Sequence, residues 1–129
     1  MLVSLAFLAA CARPSPSSPA REPQAEGRTL YLRACASCHG SDGRGGGPVV
    51  PALCVPPPDL TTLAVRHDGR YPRADVIDMI TGQHEIPAHG AREMPVWSER
   101  FGAGGEVASF YARRRDEVLA DYVESLQRE

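Results

Sequence analysis

The chain has 129 residues, 14 of them basic and 16 acidic, with a formal net charge of −2. That length accommodates one small domain, and a charge so near zero offers no field for gathering nucleic acid or an anionic lipid surface. Every basic residue is Arg and none is Lys, so any electrostatic docking face must be built from Arg and carboxylates. Three Phe and one Trp limit the apolar core, while 12 Gly and 12 Pro point to a loop-rich fold. No internal repeat is present.

Residues Leu2 to Ala10 form an apolar run with the length of a signal-peptide core, too short to span a bilayer. No Lys or Arg precedes it. Its end, Leu8-Ala9-Ala10-Cys11, resembles the lipobox of bacterial lipoproteins. By that resemblance residues 1–10 are a signal peptide and Cys11 becomes a lipidated N-terminus; the alternative is an ordinary cleavable signal with a chance cysteine. Both imply export. Arg13 to Gln24 is rich in Pro, Ser and Ala, so residues 11–24 read as an anchored, extended tether and 25–129 as the domain.

Gly27, Leu30, Tyr31 and Ala34 recur at helical spacing and predict a first helix running into Cys35, with Glu22 and Glu26 complementing its dipole. Gly43 to Gly47 and Pro56-Pro57-Pro58 predict turns. Val76, Met79 and Ile80 predict a short helix between Pro72 and Gly82, with Met79 on its core-facing side. After a glycine turn at Gly102 to Gly105, a last helix is predicted over 107–127. Its buried face is Val118, Leu119, Tyr122, Val123 and Leu126, and its wet face is Asp116, Glu117, Asp121 and Glu124. No alternating strand pattern occurs, so the domain is expected to be all-α with long loops.

Cys35-Ala36-Ser37-Cys38-His39 is the motif that carries chemistry. Two thiols three positions apart, with an imidazole directly after, are spaced for covalent attachment of c-type haem. The thiols add to the porphyrin vinyl groups and His39 lies close enough to bind the iron. A redox dithiol would want a βαβ context, which the sequence lacks, and a zinc site would want a second ligand pair where Cys54 offers one thiolate. A single motif predicts a single haem. Cys54 has no intramolecular partner; it either cross-links two molecules or is buried, and Leu53, Val55 and the proline run favour burial.

From Ala25 to Gln127 the chain resembles the class I c-type cytochromes. The resemblance implies a cytochrome c fold of three to five helices with long loops around one haem c. Gly27 and Tyr31 match the positions where the family's first helix crosses its last, and Leu119 and Tyr122 match their partners. Cys35 and Cys38 match the thioether cysteines and His39 the proximal ligand. The loop Gly40 to Pro48 resembles the segment after the motif in small bacterial members. It makes Pro48 the expected carbonyl acceptor for the His39 Nδ1 proton, with Pro51 as the alternative. Met94-Pro95-Val96-Trp97 matches the distal segment, where the Met94 sulfur takes the sixth position. A neutral, soft thioether favours ferrous iron and raises the potential. Trp97 either packs at the haem with its indole proton toward a propionate or is a core aromatic. His84 and His89 are rival sixth ligands, an open position is a third possibility, and His67 is expected in solvent. The insert Ser98 to Ser109 departs from the family pattern.

The functional expectation is a membrane-tethered monohaem cytochrome on the periplasmic side of a bacterial membrane. It would carry single electrons between a donor and an acceptor redox protein, the lipid tether raising its effective concentration near them. It would not be an enzyme, and it would take no small-molecule substrate and no nucleic acid. Two alternatives are a haem c subunit fixed in an oxidase or dehydrogenase complex, and an open-site catalytic or gas-sensing haem domain.

Overall fold

The computed structural model describes residues 21–83, 94–97, 100 and 105–128. Among them are five α-helices and no strand: α1 (Arg21–Ala34), α2 (Ala36–His39), α3 (Leu63–Arg66), α4 (Arg73–Thr81) and α5 (Gly105–Ser125). Single 3-10 turns stand at Val50–Ala52 and Leu60–Thr62. These turns and α3 lie where the sequence predicts only loop. α1 starts inside the expected tether, so Arg21 to Gln24 are helical. Glu22 in the first turn and Arg33 in the last complement its dipole, and Pro23 is tolerated because first-turn N–H groups have no helical partner. The rest of the expected tether and the expected signal segment lie outside the described residues.

The core is the crossing of α1 and α5. Tyr31 and Leu119 are fully buried there, and the Tyr31 and Tyr122 rings pack with centroids 5.3 Å apart, tilted by 48°. Gly27 makes the approach possible. A Cβ on it would lie 2.6 Å from the Val118 carbonyl oxygen and 2.7 Å from the Tyr122 Cβ. The four residues expected at this crossing therefore meet at it.

α4 begins after Pro72 and ends at Gly82, whose left-handed conformation turns its N–H onto the Asp78 and Met79 carbonyls. Ile80 is buried and Val76 packs beside it. Met79, expected in the core, is 36% exposed instead. Val76 and Ile80, four apart, take the inner stripe of this nine-residue helix, and Met79 sits about 100° round from Ile80, off that stripe. Tyr71 donates to the Ala120 carbonyl at 2.8 Å and Arg73 pairs with Asp121 at 2.8 Å, tying α4 to α5. The exposed ion pair adds less than about 1 kcal/mol.

Val118, Leu119, Tyr122 and Val123 are buried on α5 as predicted, and Leu126 is half-buried. Asp116 is the correction. Only 3% exposed, it keeps Oδ1 without a hydrogen-bond partner among the described residues. It stands three and seven residues before Leu119 and Val123, and so on their stripe rather than on the wet face. Burial, with Glu117 adding to it, pushes its carboxyl up to about 6 from an ordinary 3.8.

Two outcomes follow for the fold. Gly27→Ala should cost about 1–3 kcal/mol of stability by overpacking the crossing, visible as a lowered thermal midpoint. Asp116 stabilises the fold in its protonated form, fully below about pH 4 and progressively less as pH rises through 6. Urea unfolding should therefore show Asp116→Asn level with the parent near pH 4 and more stable by about 2–3 kcal/mol near pH 8.

Candidate functional site

α1 delivers its chain directly into the Cys-x-x-Cys-His segment. The Cys35 N–H donates to the Tyr31 carbonyl at 2.8 Å, and the Cys38 and His39 N–H groups donate to the Cys35 carbonyl at 3.1 and 2.9 Å. This helical continuation puts Cys35 and Cys38 one turn apart. Cys35 and His39 are buried, Cys38 is half-buried, and both cysteines are free thiols. Burial, with the neighbouring Cys38 adding to it, pushes the Cys35 thiol up to about 12. Among the described residues no three His, Cys, Asp or Glu side chains converge as a metal cage.

His39 Nδ1 lies 3.3 Å from the Pro58 carbonyl oxygen. Pro58 thus replaces Pro48, and its alternative Pro51, as the residue that holds the ring. The reason is the path of the loop. Gly45, Gly47 and Val49 donate back to the His39, Cys38 and Ser37 carbonyls at 2.8, 3.0 and 3.1 Å. The glycine loop is thereby folded along the backbone of α2. A side chain at Gly47 would overlap the Ser37 and Cys38 carbonyl oxygens. Pro48 is left on the outside and Pro51 sits exposed in the Val50–Ala52 turn. The proline run then returns, pinned where the Leu60 N–H meets the Gly43 carbonyl at 2.7 Å.

A carbonyl can only accept, so the His39 proton resides on Nδ1 and the Nε2 lone pair is left for a ligand bond. Burial lowers the His39 pKa, with the Pro58 hydrogen bond opposing it, so the ring is neutral at neutral pH. Directly after it, the buried Tyr31 hydroxyl donates to the Gly40 carbonyl at 2.8 Å. Burial raises the Tyr31 pKa further from titration, and its hydroxyl links the helix crossing to the end of the motif.

Met94 and Trp97 are half-buried. Trp97 packs against the core, with the Arg100 guanidinium 5.8 Å from its ring centroid. His84, His89 and Cys11 lie outside the described residues, as does half of the insert, and α5 already begins within it at Gly105. His67 is exposed as predicted, its Nδ1 2.8 Å from the Leu63 carbonyl. Cys54 is exposed rather than buried, between exposed Leu53 and Val55, because this stretch runs along the outside of the domain on its way to the proline run.

The family model for cytochrome c matches residues 24–108, more than half of the chain. The chain belongs to the cytochrome c family. Comparisons with curated proteins and with solved structures give no match. Membership brings a covalently attached haem c and electron transfer through its iron. The donor set of this cytochrome c fits that group: two free thiols one helical turn apart, followed by a neutral imidazole whose Nε2 is unengaged among the described residues. Sequence reasoning missed Pro58. The signal that could have found it is Asp59-Leu60-Thr61, whose aspartate caps the following turn by accepting from the Thr61 N–H at 2.8 Å and its hydroxyl at 2.6 Å, fixing the chain just past that carbonyl.

Gly47→Ala should force the loop off α2 and lower the stability of the haem-loaded protein by about 2 kcal/mol or more. Chemical unfolding followed at the haem absorption band checks this.

Proposed function

We propose that this cytochrome c carries single electrons between a donor and an acceptor redox protein, with haem c on Cys35 and Cys38 and its iron between His39 and Met94. The observation that carries the reading is the His39 ring, buried and held at Nδ1 by the Pro58 carbonyl. Bound haem supplies a reversible one-electron change at iron; the chain sets its conditions. Thioether links at Cys35 and Cys38 prevent the ring from leaving. A buried, protonated thiol is a poor nucleophile, so Cys35 as placed here would hold a thioether rather than react further. The Pro58 bond orients His39 and raises its basicity. Met94 offers a neutral, soft sulfur that favours the ferrous state, and Pro95 stiffens the chain directly after it. If His39 and Met94 both hold the iron in either valence, little would rearrange on electron transfer. Trp97 supports the distal segment by packing on the core.

The tethered location belongs to the same proposal. Among the described residues no helix is long and apolar enough to cross a membrane. The proposed attachment is lipid on Cys11, on the periplasmic side of a bacterial membrane, each buried methylene adding about 0.8 kcal/mol.

The test is the ferric absorption spectrum of protein made in a host that assembles haem c, beside its Met94→Ala variant. A weak far-red iron–thioether band should be present in the parent and absent from the variant, and the variant's potential should fall. A parent without that band, or one whose reduced form binds carbon monoxide rapidly, contradicts Met94 ligation and the carrier reading with it.

A further inference from the structure

The last two described residues, Gln127 and Arg128, are bonded to the segment that follows Pro58. The Gln127 side-chain oxygen accepts from the Ala64 N–H at 2.9 Å, and its amide nitrogen donates to the Leu60 carbonyl at 2.7 Å and to the Val123 carbonyl of α5 at 2.9 Å. The Arg128 N–H donates to the Thr61 carbonyl at 2.9 Å. Its guanidinium donates to the Thr61 hydroxyl at 2.7 Å and to Asp59 Oδ2 at 2.9 Å. Asp59, Leu60, Thr61 and Ala64 are thus each gripped by Gln127 or Arg128. The same short segment is held from its other side by the Gly43 carbonyl, and Thr61 at its centre is buried.

We propose that Gln127 and Arg128 are positioning residues for the axial histidine, acting through Asp59–Ala64 to fix the Pro58 carbonyl against His39 Nδ1. The inference rests on His39 being the iron ligand, and it reaches residues beyond the 24–108 stretch that the family match covers. Neither residue touches His39. Pro58 is joined covalently to Asp59, and its ring restricts φ, so the place of its carbonyl follows the place of the segment after it. At 3.3 Å the bond to His39 is already long, so a small displacement breaks it. α5 supplies the fixed reference: it packs across α1 at Tyr31 and Tyr122, and the clamp transfers that rigidity from the helix crossing to the proximal side of the haem. Losing the Nδ1 acceptor makes His39 a weaker donor, which disfavours ferric iron.

The experiment compares three haem-loaded proteins: the parent, Gln127→Ala/Arg128→Ala, and Arg73→Ala. The last removes the α4–α5 ion pair without touching the clamp. The clamp variant should shift the ferric–ferrous equilibrium three- to tenfold toward ferrous, at about 59 mV per tenfold for one electron. Its His39 Nδ1 proton should also exchange with solvent faster by NMR. Arg73→Ala should match the parent in both. A clamp variant that keeps the parent's potential and exchange rate overturns the proposal, as does an equal shift in Arg73→Ala. If the double variant does not fold, Gln127→Glu, which keeps the oxygen acceptor but loses the donor to Leu60, carries the same comparison. A parent lacking haem on Cys35 and Cys38 would overturn the site reading itself, before any variant is measured.

Discussion

Gly27 lets two helix backbones come within reach of each other, and that contact governs the rest of the domain. A small protein with few aromatic residues cannot spread its core widely. It concentrates burial where α1 meets α5, on Tyr31, Leu119 and Tyr122. Because α1 runs straight into the cysteine motif, the crossing also fixes the direction from which Cys35 and Cys38 are presented. Tyr31 serves both purposes: its ring packs on Tyr122 and its hydroxyl bonds the Gly40 carbonyl, next to His39.

The surroundings of His39 are assembled in layers outward from this contact. The glycine loop folds back on the carbonyls of α2, the proline run returns over it, and Pro58 meets the His39 ring. Each layer is held mainly by backbone hydrogen bonds, which suits a site whose geometry must not change with the valence of the metal. α5 enters twice, through its packing against α1 and through Gln127 and Arg128 at its end.

What was legible in the sequence was local or periodic. The cysteine motif, the helix ends at Pro72 and Gly82, and the pairing of Gly27 and Tyr31 with Leu119 and Tyr122 all depend on spacing or on a resemblance carried by spacing. The errors concern what lies across from a residue. Pro48 and Pro51 were nearer in sequence to His39 than Pro58, but loop path, not proximity, decides which carbonyl arrives. Asp116 shows charge given priority over register: its spacing to Leu119 and Val123 already placed it on the buried stripe. Helical period places Met79 inward and apolar neighbours favour burial of Cys54, but neither period nor local composition reveals where the covering element ends.

Everything proposed for this cytochrome depends on haem being held by the Cys35–His39 segment. Peptide mass spectrometry of trypsin-digested protein from a host that assembles haem c tests it most directly. Cleavage after Arg33 and Arg44 releases Ala34 to Arg44. This peptide should carry one haem mass and the Cys54 peptide none. A Cys35–Cys38 disulfide, or an unmodified Ala34–Arg44 peptide, would contradict it.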